Sequence, residues 1–417
     1  MARNAALKIL LKYETEQSYL NITLNEYLEN STLSRNDKDL TTRIVYGTIQ
    51  NKLYLEYQLA PYIEGKKVKQ REKIILLMSL YQLIFLDKIP QYAVIDEAVK
   101  LAKQKNLYAG KFVNAILRNF IRHGKREVVK KDPLEKLAIE TSHPLWLVKM
   151  LNKQYDFATT QKICFHDNTP PVRTARVNTL KTTKENILSD KNFVSGNLAS
   201  DSVLYRSGNI ASTSYFKEGL ITIQDESSQL VAPLLAPESD DLVLDMCCAP
   251  GGKTAHLAAI MKNQGKIIAY DLFRHKIDLV KANLKRLGVK NVELYENDAT
   301  KLKKSYAPET FDKILLDAPC SGLGVLKRKP EIRYHDSKIM DSIMIIQTKL
   351  LDNAYYLLKK NGEMVYSTCT INKKENEMMV KKFIEKYPDM KIIEERTILP
   401  YEFNSDGFYM CKLEKGN

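Results

Sequence analysis

The chain has no long apolar run. Its longest, Ile74 to Leu86, is broken by Ser79 and Gln82 and falls short of the roughly 20 residues that a bilayer-crossing helix needs. The opening Met1-Ala2-Arg3-Asn4 lacks the apolar core of an export signal. These absences predict a soluble chain that works in the cytoplasm, away from any membrane. Cysteine is also sparse: Cys164, Cys247, Cys248, Cys320, Cys369 and Cys411 are spread over 417 residues without a C-x-x-C pair. In a large chain without an export signal, that argues for reduced thiols. Adjacent Cys247 and Cys248 cannot easily share one metal ion, and the six histidines are scattered, so no metal site is expected. Two nucleotide fingerprints are missing as well. There is no G-x-G-x-x-G, and where a phosphate loop ending in Gly252-Lys253-Thr254 would need an earlier glycine, Cys247 stands instead.

What is present is positive charge. The net charge is +14, and residues 1 to 125 alone hold 20 Lys and Arg against 12 Asp and Glu. Such an excess favours a polyanionic partner, with nucleic acid ahead of a membrane surface.

The chain is organised around Asp245-Met246-Cys247-Cys248-Ala249-Pro250-Gly251-Gly252-Lys253-Thr254. Apolar Leu242-Val243-Leu244 precedes it and a helical pattern follows, which predicts a strand, a glycine turn and a helix. Glycines there let the backbone approach a ligand, and the free amides at the helix start favour polar or anionic groups. With both phosphate-binding fingerprints excluded, the turn reads as an S-adenosylmethionine site. Asp271, twenty residues past Gly251 and at the end of a second strand, is placed to accept from both ribose hydroxyls.

Taken in order, the pattern divides the chain into four parts. Residues 1–125 have apolar positions at helical spacing and predict an all-α bundle. A helical linker is expected over 126–160, with the stretch from Gly124 to Glu135 charged and aperiodic. A small α+β bridging domain follows over 161–225, beginning with a strand in Pro170 to Asn178 whose Arg173 and Arg176 are candidates to clamp RNA. Residues 226–417 alternate strand and helix, with strands near 242–246, 266–270, 291–296, 312–317 and 363–368. The last connecting helix is expected to stop at Asn361-Gly362. This is the pattern of a doubly wound, Rossmann-like α/β domain, which binds ligands at the carboxyl ends of its strands.

Two thiols fall at those ends, in Asp317-Ala318-Pro319-Cys320-Ser321-Gly322 and in Tyr366-Ser367-Thr368-Cys369-Thr370. Cytosine C5 is a poor nucleophile towards a methyl sulfonium. A thiolate added at C6 pushes electron density onto C5 and is expelled after C5 has taken the methyl and lost its proton. A cationic pocket, with Lys253 as the candidate cation, would favour the thiolate. Asp317 is placed to hold N3 and the exocyclic amine of the base.

On these motifs the chain from about residue 140 resembles the RNA cytosine-C5 methyltransferases of the Nol/Nop/Sun group. Arg43 to Thr48, Tyr92 to Val99 and Phe112 to Asn119 resemble words of the NusB family of RNA-binding bundles. The resemblance implies a class I S-adenosylmethionine-dependent methyltransferase domain acting on one cytosine of 16S ribosomal RNA, position 967. It implies Cys369 as nucleophile and Cys320 as the residue that assists release. Cofactor contacts map to Cys247, Cys248, Ala249, Pro250, Gly251, Gly252, Lys253, Asp271, Asp298 and Asp317. Candidate phosphate contacts are Lys100, Lys103, Lys105, Lys111, Arg118 and Arg122 in the bundle, and Lys327, Arg328, Lys329 and Arg333 after the Pro-Cys motif. Two alternatives stay open: a non-catalytic RNA-binding or antitermination factor, against which the intact Cys320, Cys369, Asp317 and Asp271 speak, and a methyltransferase acting on transfer RNA or DNA. Small-subunit ribosomal RNA is the expected partner and a monomer the expected form.

Overall fold

A computed structural model describes residues 1–16 and 20–417, so residues 17–19 of the expected all-helical segment lie outside the described residues. The chain forms two compact units. One comprises Met1–Asn168 together with Arg328–His335, and the other Thr169–Lys327 with Asp336–Asn417.

The first unit is helical among its described residues, from Ala2–Glu16 to Phe157–His166, with a short 3-10 turn at Pro330–Tyr334. Several helices begin where a short polar side chain can satisfy a free amide. Ser34 accepts from Asp37 N, Asn106 from Ala109 N, Asp132 from Leu134 N and Asp156 from Thr159 N. The apolar positions at helical spacing become the core: Ile9, Leu10, Ile44, Val45, Ala98, Val113, Ile116 and Leu117 are all buried in one cluster. The polar faces left outside carry exposed Lys103, Lys105, Lys111, Arg118 and Arg122. Lys100 is exposed too, but it is paired with Asp96 at 2.7 Å and Glu97 at 3.2 Å.

The second unit holds two sheets. Strands β1 (Thr174–Val177), β2 (Phe193–Ser195), β3 (Ser202–Tyr205) and β4 (Ile221–Ile223) form a small antiparallel sheet in the order β2-β3-β1-β4. Strands β5 (Leu242–Asp245), β6 (Lys266–Asp271), β7 (Val292–Glu296), β8 (Phe311–Asp317), β9 (Leu358–Thr368), β10 (Met390–Ile398) and β11 (Phe408–Lys415) form the large sheet in the order β10-β11-β9-β8-β5-β6-β7. Its first five strands run parallel, and the five strands expected from sequence are these. The antiparallel pair β10 and β11, packed beyond β9, was not expected. The chain steps outward from β5 through β6 to β7, then returns to the other side of β5 as β8. That reversal places a crevice at the carboxyl ends of β5 and β8.

One local expectation differs. The helix before β9 ends at Leu357, and Asn361-Gly362 lie inside β9, where the register against β8 shifts between Phe311 and Lys313. Asn361 takes a left-handed φ of 58° there, so the turn residues make an irregularity within the strand instead of a helix stop. The helix Glu226–Gln229 is capped by Asp225, which accepts from Ser227 N.

The loops leaving β8 and β9 touch through their backbones. Gly324 N donates to the Cys369 carbonyl at 3.0 Å, and Gly407 N donates to the Gly324 carbonyl at 2.7 Å. A Cβ on Gly324 would sit 1.9 Å from the Gly407 carbonyl oxygen and 2.9 Å from that of Cys369. Neither acceptor is a side chain that can swing aside. Gly324→Ala should therefore lower the thermal unfolding midpoint, at a cost of about 1–3 kcal/mol or more, and an unchanged midpoint would contradict this packing.

Candidate active site at the strand ends

The site residues follow the order of strands in the sheet. Asp298 lies beyond β7, Asp271 ends β6, the glycine turn follows β5, Asp317 ends β8 with Cys320 beyond it, and Cys369 follows β9. Parallel neighbours about 4.8 Å apart bring all of these to one edge of the sheet.

The glycine turn is held from behind. Asp245 is buried, and its carboxylate accepts from Thr254 Oγ1 at 2.7 Å and from Cys247 N at 3.3 Å. Burial pushes its carboxyl up to about 7. These bonds orient the turn. Cys248 N donates to the Tyr270 carbonyl at 2.8 Å, which ties the turn to β6. Gly251 takes a φ of 96°, which a side chain rarely allows, and caps the helix Gly252–Ile260 without any side-chain bond to its first amides. Asp271 approaches the turn from β6, accepting from Ala249 N at 3.4 Å, and Lys276 lies 3.6 Å from its other oxygen. Pro250 is exposed and its carbonyl accepts from Asn283 at 2.9 Å. Asp298 caps the turn Ala299–Lys304, accepting from Thr300 N at 3.0 Å and pairing with Lys301 at 2.8 Å. An uncapped helix start flanked by carboxylates at two neighbouring strand ends fits a ligand with hydroxyl donors and a positive centre.

The thiols lie on the other side of the crevice. Cys320 Sγ and Cys369 Sγ are 3.3 Å apart, and neither belongs to a disulfide. Contact with Cys369, and then burial, push the Cys320 thiol well above its usual value. Lys253 reaches across from the glycine turn to Asp317 Oδ2 at 2.7 Å, while Ser367 Oγ donates to Asp317 Oδ1 at 2.8 Å. The expected cationic pocket is thus different in kind. The positive charge of Lys253 is taken up by Asp317, and Cys320 is surrounded by groups that keep it protonated.

The arginines and lysines expected to meet RNA divide sharply. Arg173 is exposed and Arg328 half-buried. Arg176 is buried: its Nε donates to Gln224 Oε1 at 2.9 Å and its Nη2 reaches the Gly252 carbonyl at 3.4 Å. It supports the glycine turn from behind and has no surface to offer a phosphate. Arg333 is buried in the helical unit, where Nη1 donates to the carbonyls of Gln50, Thr141 and Ser142 and to Asn168 Oδ1 at 3.1–3.3 Å. Lys327 is buried with its amine on Asn404. The reason is common to all three: backbone and amide acceptors far along the chain hold each side chain in the interior, and sequence spacing carries no sign of them.

Sequence reasoning missed Ser367 and, more consequentially, Glu375. The one available signal was spacing: Asn372, Glu375 and Asn376 recur three and four residues apart just after the Thr-Cys motif, which aims them back at it. Among the described residues no group of three or more His, Cys, Asp or Glu is placed to hold a metal ion, and no helix is long and apolar enough to cross a membrane.

Comparison with known proteins matches residues 232–414 to the family described as 16S rRNA methyltransferase RsmB/F. Residues 1–122 match the NusB family, and residues 143–190 an RsmF/B-like ferredoxin-like domain. The chain is 41% identical to the probable ribosomal RNA small subunit methyltransferase B of Bacillus subtilis, over 99% of this chain and 98% of the relative. It is 32% identical to the corresponding protein of Synechocystis, over 99% of both. Among solved structures, that of PH0851 superposes with a TM-score of 0.81 at 25% identity, covering 95% of this chain and 94% of the other.

Asp245 gives the site a dependence on pH. A carboxyl whose folded value lies at about 7, above the ordinary 3.8, binds its proton more tightly folded than unfolded. It therefore disfavours folding progressively as pH rises through that window, and no further above it. In denaturant titrations Asp245→Asn should gain stability relative to the wild type between about pH 4 and pH 7, by up to about 4 kcal/mol. A difference that stays constant across the window would sink the assignment.

Proposed function

The chain belongs to the 16S rRNA methyltransferase RsmB/F family, and on that premise we propose that it methylates C5 of one cytosine of 16S rRNA, position 967, through a covalent adduct on Cys369. It is an S-adenosylmethionine-dependent ribosomal RNA methyltransferase. The position and the adduct are our reading, supported by likeness along the whole chain to relatives named small subunit methyltransferase B and by two thiols 3.3 Å apart at one strand edge.

The residues fit the cofactor. The uncapped start of Gly252–Ile260 and the turn Cys247 to Gly252 would take its backbone-facing side, and Asp271 would accept from its ribose hydroxyls, with Asp298 beside it. When bound, the cofactor supplies an electrophilic methyl group. Cys369 attacks C6 of the cytosine, forming an S–C6 bond and shifting electron density to C5. Asp317, held by Lys253 and Ser367, orients N3 and the exocyclic amine. After C5 has gained its methyl, Cys320, its own thiol proton lost to solvent, takes the C5 proton, the electrons of that C–H bond restore the C5–C6 double bond, and the S–C6 bond breaks to return Cys369 as a thiolate. The base must present its ring face, so the target is unpaired or flipped. Arg173 and the exposed cations of the helical unit would hold the RNA backbone, and the substrate puts the enzyme in the cytoplasm.

The test uses labelled S-adenosylmethionine and protein-free 16S rRNA with the wild type, Cys369→Ala and Cys320→Ala, followed by mapping of the methylated base. We expect a single labelled cytosine, loss of labelling to background in Cys369→Ala, and a protein–RNA adduct that survives denaturation in Cys320→Ala. Labelling retained by Cys369→Ala would exclude its role as nucleophile, and labelling of transfer RNA in preference to 16S rRNA would move the substrate.

A further inference from the structure

Glu375 is fully buried, and four donors converge on its carboxylate. Oε1 accepts from Ser321 Oγ at 2.5 Å and from Asn372 Nδ2 at 2.9 Å. Oε2 accepts from Ser321 N at 2.8 Å and from Gln347 Nε2 at 3.3 Å. The single hydroxyl hydrogen of Ser321 goes to Glu375, so Thr370 Oγ1, 2.8 Å from Ser321 Oγ, must donate to it. The backbone of Glu375 is fixed as well, its carbonyl accepting from Tyr366 OH at 2.7 Å. Gln347, on the helix Lys338–Leu357, also donates to the Pro319 carbonyl at 2.9 Å.

Chain position gives these bonds their meaning. Ser321 is the neighbour of Cys320, and Thr370 is the neighbour of Cys369. One acid therefore joins the two loops that carry the thiols, at the residue next to each sulfur. Burying a carboxylate is expensive unless both oxygens are paired, and an apolar side chain would fill the same space at lower cost. A group retained under those conditions is suited to fixing register. The same charge adds, after contact with Cys369 and burial, to the causes that keep the Cys320 thiol protonated.

We propose that Glu375 is a positioning residue that clamps the Pro-Cys loop to the Thr-Cys loop and so holds the Cys320 and Cys369 sulfurs at reacting distance. The inference rests on the reading of these two thiols as the reacting pair, and its test separates the two claims by measuring thiol proximity apart from methylation. Glu375→Gln keeps the shape but turns an amide NH2 towards Asn372 Nδ2 or Gln347 Nε2, setting donor against donor. Ser321→Ala removes only the hydroxyl bonds. In the full-length protein, the rate at which diamide links Cys320 to Cys369 is read by peptide mapping, the diazene being reduced to the hydrazine as two thiols become one disulfide.

Linkage should slow by about tenfold in Glu375→Gln and by less in Ser321→Ala, and kcat should fall by up to about 100-fold, since displacement of reacting groups by an ångström costs that much. Affinity for S-adenosylmethionine should stay within about twofold, because the glycine turn makes none of these bonds. Linkage as fast as in the wild type in both variants would overturn the clamp, whether or not the enzyme methylates. Slow linkage in Glu375→Gln, together with a wild type whose adduct maps to a residue other than Cys369, would uphold the clamp and overturn the assignment of the nucleophile.

Discussion

The arrangement of the active edge depends on the register between β8 and β9. Asp317 stands opposite Ser367 in this parallel pair, and Cys320 and Cys369 lie three and two residues further on. A slip of one residue would move one loop by about 3.3 Å and turn its side chains to the opposite face. The sulfurs, now 3.3 Å apart, would no longer meet. Several contacts oppose such a slip: Ser367 on Asp317, the Gly324–Cys369 backbone bond and the Glu375 network each join the two strand ends at a different height. The Gly324 contact tolerates no side chain, so the loops close on each other as backbone against backbone.

Charge at this edge is arranged in pairs. Lys253 and Asp317 neutralise each other between the cofactor side and the thiol side. A lysine free of any partner there would have stabilised whichever thiolate lay nearer, without regard to role. With the lysine engaged, its charge is not offered to either thiol. Asp245 is buried one layer deeper. It holds the glycine turn through Thr254 and Cys247 at the cost of a carboxyl that resists ionisation.

The parallel strands were legible in the sequence because each is a short apolar run that ends in a motif of Asp, Gly, Pro or Cys, and both the runs and the motifs are local. The outer pair was not. Along β10 the residues Lys391 to Glu395 are exposed, so a strand paired only at one edge carries neither an apolar run nor an alternation to reveal it. The site was legible to the same depth. Side chains set by the strand ends, such as Cys320, Cys369, Asp317 and Asp271, could be named from position. Arg176, Arg333 and Glu375 could not be understood, because whether a charge is exposed or buried is decided by acceptors and donors dozens to hundreds of residues away. Read from composition, the first two are surface cations and the third a surface acid.

The burial of those arginines also bears on how a target is chosen. On the proposed mechanism, thiol addition and methyl acceptance at C5 are open to any cytosine whose ring face is accessible, so that chemistry would select the base and little of its surroundings. Discrimination among cytosines must come from contacts with the rest of the RNA. Arg176, Lys327 and Arg333 cannot supply them, since each is buried inside the protein. On the proposed function, the exposed candidates are Arg173 beside the small sheet, Lys329, and Lys103, Lys105, Lys111, Arg118 and Arg122 of the helical unit, the last five without the acidic partners, among the described residues, that Lys100 has. If they meet RNA as proposed, cations spaced along two consecutive helices would read the path of a phosphate backbone and not its bases. Selection on these terms is selection for a folded RNA shape, with the cytosine identified by where that shape delivers it.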